Sequence, residues 1–230
     1  MKTASIRTAA AIAAALWLAA APAGAAQKET ETVDRSVPFA TNGHLRLKNF
    51  SGTVTITGSN RANVVVHAVR RATRDRLNAI RLDIDATPSE ISIEANKRDG
   101  SWDDRHDNVV ETEFRIEVPQ GTSLDVQVFS SDVHVKGVEA RQRLHTFSGE
   151  ITIEDGAGPI DAETFSGDIA VDLVPTARGH VDFNSFSGSL DTGMPLTYRG
   201  GRKRQISGDI GGGGDTAFTF KTFSGDVRIK

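Results

Sequence analysis

The sequence predicts an all-β protein, a parallel right-handed β-solenoid with about 17–21 residues per coil. The main observation is a recurring tetrapeptide, Phe-Ser-Gly followed by an acid, with full copies at residues 147–150, 165–168 and 223–226. Degenerate copies begin at residues 50, 129, 186 and 206. A period of about twenty residues is typical of stacked repeats, in which each unit buries its apolar face only against its neighbours. The crossover rule for parallel strands favours the right-handed winding.

Short alternating segments are the second observation in favour of this fold class. β-branched and aromatic residues recur at every second position, and Gly, Pro, Asn or Asp separates the segments, as expected for short strands. Such segments include residues 45–47, 64–69 and 114–118. We expect one domain over residues 36–230, with less regular coils in 36–125 and regular coils in 126–230. The one helical candidate, residues 73–79, is short.

The N-terminal residues 1–26 have the pattern of a signal peptide. Lys2 and Arg7 precede an apolar run over residues 9–21, and small residues at 23–26 form a cleavage site. The run is shorter than the roughly 18–20 residues that a membrane-spanning helix needs. We therefore expect an exported protein, periplasmic, secreted or surface-associated, with no transmembrane segment after signal removal. Residues 27–35 are polar and are expected to form a flexible leader.

Charge and composition disfavour several function classes. The net charge is −3 at pH 7, and it becomes −5 once Lys2 and Arg7 leave with the signal, which disfavours a nucleic-acid partner. The chain has no cysteine, so it has neither disulfides nor a thiol nucleophile. The serine motifs Gly-x-Ser-x-Gly and Ser-x-x-Lys are also absent. We predict no catalytic residue, no cofactor and no metal site.

The strands before and after the Phe-Ser-Gly corner disagree about which corner residues point inward. Counting forward from Ala162 in steps of two places Thr164 inside and Phe165 outside. Counting back from Ile169 places Phe165 inside. One residue of slip must therefore occur within the corner, and a glycine in a left-handed or bulged conformation accommodates it. The corner glycines are expected to be structural, and they are Gly52, Gly149, Gly167, Gly188, Gly208 and Gly225.

The row of corner phenylalanines has two possible positions. If it lies inside, the rings form a buried ladder, and we expect this arrangement because soluble monomers avoid contiguous exposed apolar patches. If it lies outside, the rings form a ridge that is the best candidate interaction site of the protein. The row consists of Phe129, Phe147, Phe165, Phe186 and Phe223.

The acids after the corner glycines are expected to form a second column. Neighbours about 4.8 Å apart would repel each other by roughly 1 kcal/mol in water. Either bound Ca²⁺ or hydrogen bonds from the turn backbone would relieve this repulsion. A calcium repeat supplies ligands from two positions per turn, so we expect hydrogen bonds and no effect of calcium. The column contains Asp132, Glu150, Asp168, Asp209 and Asp226, with Ser189 as an interruption.

Three other clusters are expected to have no functional role. Residues 211–214 are four glycines, which indicate a close backbone approach at a corner. The charged segment 103–107 lacks the spacing of metal ligands and is expected to be a solvated loop. The basic residues of 70–76 and 199–204 are interpreted as solvated loops rather than as a site for acidic glycans or lipids.

The chain resembles a bacterial adhesin-like family of exported β-solenoid domains, which is catalogued as a domain of unknown function. The resemblance covers about residues 36–230. It rests on the Thr-Phe-Ser-Gly-acid corners that begin at 146, 164 and 222, on Ile-Glu-Val-Pro at 116–119, and on the glycine-rich segment 206–214. It implies a non-enzymatic interaction module of the cell envelope with a protein or glycan partner, and it supplies no catalytic residue.

The alternative is a polysaccharide-binding or polysaccharide-active β-helix enzyme. Such enzymes need paired carboxylates or a cluster of calcium and base in a groove. They also tend to have aromatic-rich loops, whereas this chain has two Trp, one of them in the signal, and one Tyr. We therefore favour the interaction module.

Overall fold

The computed structural model describes residues 28–98, 109–202 and 204–230. Within these ranges the chain forms one mixed sheet of 17 strands and one short helix. The all-β prediction is confirmed, and helix α1 (Arg74–Ala79) lies at the helical candidate of the sequence. The expected signal peptide at 1–26 and the charged segment at 103–107 lie outside the described residues.

The strands are β1 (Glu29–Pro38), β2 (His44–Ser59), β3 (Asn63–Ala72), β4 (Ile80–Ala86), β5 (Glu90–Arg98), β6 (Glu111–Pro119), β7 (Ser123–Lys136), β8 (Gln142–Ser148), β9 (Ile151–Gly156), β10 (Ile160–Ser166), β11 (Ile169–Leu173), β12 (Gly179–Ser187), β13 (Leu190–Thr192), β14 (Leu196–Arg202), β15 (Gln205–Ile210), β16 (Ala217–Ser224) and β17 (Val227–Ile229).

Parallel pairing arranges most strands into coils that contribute one segment to each of two sides. Strands β2 and β7 are long enough to run through both sides. On the first side, the order is β5, β2, β7, β8, β10, β16 and β12. On the second side, the order is β6, β2, β7, β9, β11, β17 and β13. Inward residues of both sides, such as Leu45, Ile56 and Phe220, form one buried apolar cluster.

Antiparallel strands cover both ends of this stack, which the all-parallel expectation did not include. At one end β4 pairs with β5, and β3 pairs with β6. At the other end β15 pairs with β12, and β14 pairs with β15. A terminal coil leaves a row of backbone donors and acceptors unpaired, and the antiparallel strands pair with this row on both sides at the first end and on the first side at the second end.

The first described strand corrects the expectation of a flexible leader at 27–35. β1 pairs with β3 through all of its 10 residues. Glu29 forms an ion pair with Arg74, and Glu31 forms one with the buried Arg70. The segment lacks apolar periodicity because an outer strand is held by backbone pairing and ion pairs, and such contacts leave little trace in hydropathy.

The spatial order of the coils differs from the order of the repeats in the chain. The last coil, β16 and β17, lies between β10 and β12 on the first side and between β11 and β13 on the second. The copy at 206–209 is not a corner at all, because it lies in β15 and pairs antiparallel with β12. The expectation that Gly208 is a corner glycine is therefore wrong, and Asp209 lies outside the acid column.

The remaining corner glycines bring neighbouring coils into close backbone contact. Gly149 and Gly167 have φ values of +151° and +149°, a region that side chains rarely adopt. A Cβ atom on Gly167 would overlap the carbonyl oxygen of Gly149, and one on Gly149 would overlap that of Ser131. Gly52 and Gly225 also have positive φ, whereas Gly188 does not but meets the Gly225 carbonyl in the same way.

We expect Gly167→Val to destabilise the fold strongly. The substitution places a β-branched side chain at a positive φ, which costs about 1–2 kcal/mol or more, and it also collides with the next coil. A lowered urea midpoint of unfolding would show this. The matched control is Gly200→Val, because a Cβ atom at Gly200 meets nothing within 4 Å. Equal urea midpoints for the two variants would contradict the corner geometry.

Candidate functional site

The corner places its phenylalanine outside and its threonine inside. Thr164 is buried, and its hydroxyl donates a hydrogen bond to the carbonyl oxygen of Gly149 at 3.4 Å. Phe165 is 45% exposed, whereas Ile169 beyond the glycine is fully buried. The parity slip thus occurs after the phenylalanine, and the expectation of a buried ladder is wrong. The buried hydroxyl explains the result, because it pairs with a corner carbonyl that would otherwise have no partner.

The exposed rings form one continuous stack, which we call the Phe ridge. Its neighbouring ring centroids are 4.6–4.9 Å apart, and the ring planes differ by at most 13°. The ridge is about 24 Å long, and its members are 41–63% exposed. In spatial order it contains Phe50, Phe129, Phe147, Phe165, Phe223 and Phe186.

Phe50 is the member that the sequence analysis missed. Its copy of the motif, Phe-Ser-Gly-Thr at 50–53, lies far from the others in the chain, but β2 pairs directly with β7. The register that pairs Ser51 with Ser130 brings Phe50 against Phe129. The Phe-Ser-Gly motif at residue 50 could have identified this member of the row. It was left out because its copy lies far from the other copies in the sequence.

The stacking decides which part of each ring is available to a partner. Because the rings are nearly parallel and one strand spacing apart, each internal ring covers the faces of its neighbours. Only the ring edges point outward along most of the ridge. The outer face of the terminal ring Phe186 is the exception, and this residue is the most exposed of the six at 63%.

A shallow groove of about 1100 Å³ runs beside the Phe ridge on the first side. Its polar wall carries mixed charges, with His145 Nδ1 3.6 Å and Lys221 Nζ 3.9 Å from the carboxylate of Glu163. The wall residues come from equivalent positions of neighbouring coils, and they are Lys48, Gln127, His145, Glu163, Lys221 and Asn184.

On the other flank of the ridge, three steps of the acid column are hydrogen-bonded from one coil to the next. The backbone N–H of Glu150 donates to Asp132 Oδ1 at 2.9 Å, and that of Asp226 donates to Asp168 Oδ1 at 2.8 Å. Asp226 Oδ1 accepts bonds from both the N–H and the hydroxyl of Ser189. These bonds lower the pKa of the Asp226 carboxyl, the backbone bond most of all.

These contacts correspond to the hydrogen-bonded alternative for the acid column. Among the described ranges, no group of three or more His, Asp or Glu side chains is arranged to hold a metal ion. The indifference of the protein to calcium stays a prediction.

Asp209 lies instead in a polar cluster on the cap strand β15. His180 Nδ1 is 3.1 Å from Asp209 Oδ1, and His180 Nε2 is 3.0 Å from the hydroxyl of Ser207. Arg199 donates a hydrogen bond to the second carboxylate oxygen of Asp209 at 2.6 Å. Hydrogen bonds from His180 and Arg199 lower the pKa of Asp209, His180 having the larger effect. Sequence analysis missed this cluster, because it depends on the antiparallel register of β12 and β15.

The basic runs pair largely with acids of neighbouring strands. Arg70 contacts Glu31 and the carbonyl oxygen of Ile80, and Arg71 contacts Glu113 at 2.5 Å. Arg199 is held by Asp209. Lys203 lies outside the described residues. The run at 70–76 therefore contributes ion pairs at one capped end of the sheet, and Arg199 contributes one at the other end.

The glycine-rich segment 211–214 forms the turn between β15 and β16. Gly211, Gly212 and Gly213 all have positive φ. A Cβ atom on Gly211 would overlap the carbonyl oxygen of Ala177. The close backbone approach that the sequence predicts is present at this residue.

With this geometry in hand, comparison with known proteins identifies the class to which the chain belongs. The Toastrack DUF4097 family matches residues 27–230. The protein belongs to this family, and the resemblance noted in the sequence is confirmed. No curated protein matches the chain. Within the described part of the chain, no helix is both long and apolar enough to cross a bilayer.

Comparison with solved structures finds similarity at low sequence identity. A candidate cell adhesion protein from Clostridium sporogenes is 10% identical with a TM-score of 0.66, and the match covers 88% of this chain and 99% of that one. A candidate adhesin from Bacteroides fragilis is 12% identical, with a TM-score of 0.29 and coverage of 87% and 97%. A candidate lipid-binding protein from Parabacteroides distasonis is 11% identical, with a TM-score of 0.31 and the same coverage. The similarity to the Clostridium sporogenes structure shows that the two chains share a fold.

We expect the acid column to make stability depend on pH. The pKa of Asp226 is lower in the folded state than its ordinary value, so its contribution is present above about pH 4 and is lost as the pH falls through the folded pKa. The urea midpoint should therefore stay level from pH 7 to pH 5 and drop below about pH 4. Asp226→Ala should lower the midpoint at pH 7 and reduce the acid drop.

The control for this measurement is Asp172→Ala, which removes an exposed acid from the neighbouring strand β11. This variant should keep the acid drop of the unmodified protein. An identical acid drop in the Asp226→Ala variant would contradict a structural role of the column.

Proposed function

We propose that this protein is an exported, non-enzymatic interaction module of the cell envelope, adhesin-like in its action, which binds a surface partner through the Phe ridge. The observation that carries the proposal is the stack of six exposed rings. Soluble monomers rarely keep contiguous apolar patches in contact with water, and such patches mark interaction sites. The adhesion role named for the Clostridium sporogenes structure supports the proposal only as an analogy of fold.

The exposed area of the ridge is sufficient for binding. An aromatic side chain has an area of roughly 200 Å², so rings that are 41–63% exposed present roughly 90 Å² each. Covering six of them would contribute about 13 kcal/mol at 25 cal/mol per Å². Association itself costs about 4–15 kcal/mol, so the ridge alone supports a weak complex, and the polar flanks add to it.

The ring geometry favours an apolar protein surface over a sugar as the partner. An aromatic platform for a sugar presents a ring face, and the internal rings of the ridge cover one another's faces. A glycan partner would be restricted to the outer face of Phe186 and to the polar groove beside the ridge.

The cellular setting is part of the same proposal. The basic start, apolar run and small-residue site of residues 1–26 support export, after which the single solenoid domain would occupy the envelope or the medium. The right-handed winding of the coils rests on the crossover rule for parallel strands. N-terminal sequencing of the exported protein should begin near Ala26 or Gln27, and an intact Met1 would contradict export.

We expect Phe165→Ala to separate binding from stability. The ring is about half exposed and stacks on two neighbours, so its loss should cost about 1–3 kcal/mol, less than the roughly 3–5 kcal/mol of a buried phenylalanine. Binding to the partner should weaken, because the substitution interrupts the ridge at its centre. A pull-down from envelope extract and a glycan array, each with the unmodified and variant proteins, measure the binding.

Tyr198→Ala is the control, because Tyr198 is an exposed aromatic residue outside the ridge. This variant should keep both stability and binding. A Phe165→Ala variant that loses about as much stability as a buried phenylalanine, roughly 3–5 kcal/mol, or that binds normally, would overturn the proposal.

A second candidate function, a hydrolase of the esterase type, is favoured by one observation, which gives no support to the paired-carboxylate chemistry of a polysaccharide-active enzyme. Ser207, His180 and Asp209 are hydrogen-bonded in the order of a hydrolytic serine triad. Asp182 Oδ1 also lies 3.4 Å from His180 Nε2, however, and competes with the serine for that nitrogen. Cross-strand polar contacts on an outer face account for the same geometry, so we keep the non-enzymatic proposal.

The two candidates differ in a simple assay. We expect the protein to hydrolyse p-nitrophenyl acetate no faster than its Ser207→Ala variant, since the cluster is structural. Fluorophosphonate labelling gives an independent measurement, and it should not modify Ser207. Hydrolysis that Ser207→Ala abolishes would replace the non-enzymatic proposal with the enzymatic one.

A further inference from the structure

The spacing of the Phe ridge restricts the surfaces that can cover it. The rings repeat every 4.6–4.9 Å, which is the distance between neighbouring strands. A partner that contacts every ring must present apolar groups with the same repeat over about 24 Å. Side chains at equivalent positions of neighbouring strands in another sheet have this repeat. A second copy of this chain has it along the whole length of its own Phe ridge.

The charges beside the ridge are distributed unequally. The row of residues next to the ridge on one flank carries four acids, Ser189 and Thr53 and no positive charge, whereas the groove wall on the other flank carries both signs of charge. Two copies that placed acid flank against acid flank would bring like charges together, which is unfavourable. Rotation about a two-fold axis parallel to the ridge avoids this, because it places the acid flank of each copy opposite the groove wall of the other. The acid flank contains Asp132, Glu150, Asp168 and Asp226.

We propose that the Phe ridge is a self-association surface, at which two copies of this chain pack ridge against ridge and in parallel, each ring facing the equivalent ring of the other copy. This proposal rests on the proposed function, since it names the partner of the same ridge. Lys221 and Asp226 belong to the same coil, which β16 and β17 form. In this arrangement Lys221 in the groove wall of one copy lies on the same side as Asp226 of the other copy.

The area indicates a reversible dimer. Six rings of roughly 90 Å² give about 500 Å² per copy, below the roughly 800 Å² per partner of a stable interface. Dimers should therefore form with rising concentration, between about 1 and 100 µM, because even larger interfaces of standard size include complexes of only micromolar affinity. An acid flank that faces mixed charges also predicts only a modest effect of salt.

The first test is sedimentation equilibrium of the mature exported protein and of two variants. The average mass should rise from monomer towards dimer over this range. Phe147→Ser combined with Phe165→Ser should remain monomeric, while its urea midpoint shows that it still folds. Tyr198→Ser, which changes an exposed aromatic residue outside the ridge, should dimerise normally. A monomer at every concentration, or a dimer that the double variant retains, would overturn the proposal.

The second test determines the orientation of the copies and uses the absence of native cysteine. Phe50 and Phe186 are the two ends of the ridge, so Phe50→Cys and Phe186→Cys each place one thiol at one end. With a short bifunctional maleimide, each variant should cross-link to itself, because equivalent rings meet in the parallel arrangement. Cross-linking that requires a mixture of the two variants would mean antiparallel packing and would overturn the proposal.

The same variants distinguish failure of this inference from failure of the proposed function. If the ridge substitutions abolish binding to envelope extract but the unmodified protein is monomeric, the proposed function stands and self-association is wrong. If the protein dimerises through the ridge and the substitutions leave envelope binding unchanged, self-association stands and the proposed function is wrong.

Discussion

The close backbone approach at the corner glycines is the constraint on which the rest of the structure depends. A Cβ atom at Gly149 or Gly167 would occupy the place of a carbonyl oxygen in the next coil, so the stack can close only where the side chain is absent. The positive φ at these residues also supplies the slip that separates the strand before the corner from the strand after it. The neighbours of Gly167 therefore have fixed roles, with Thr164 inside, Phe165 outside and the Asp168 carboxylate accepting a bond from the next coil.

Equivalent corners explain why the coils need not stack in chain order. The pairs Ser166–Ser224 and Ser187–Ser224 have the same register as the sequential pair Ser148–Ser166. A coil that ends in the motif can thus dock on any other coil that does so, and β16 and β17 occupy the space between two earlier coils. The antiparallel hairpin of β14 and β15 then covers the end of the first side and supplies an end cap.

The sequence predicts the repeated part of this fold and much less of its ends. The motif and the alternating residues identify the strand class, the corners and the row of phenylalanines, because each of these depends on local chemistry. They do not identify the cap strand that contains Gly208, since its copy of the motif satisfies the same pattern while its register is antiparallel. The prediction that Phe165 lies inside was wrong, because both parities are locally consistent and the pattern alone does not choose between them. The buried hydroxyl of Thr164 resolves the conflict, and its contact with the Gly149 carbonyl spans two coils.

In the ring stack, the ring faces contribute to the stability of the corner, whereas the ring edges remain accessible to a partner. Each internal ring is covered on both faces by rings from neighbouring coils, so roughly half of its surface is removed from water without entering the core. Stacked pairs contribute up to about 1.5 kcal/mol each beyond the area that they bury, which favours the stack over separate exposed rings. The edges stay in solvent because Thr164 and its equivalents occupy the inward position. The fold therefore holds the rings rigidly at strand spacing, and a rigid apolar edge loses little conformational entropy when a partner covers it.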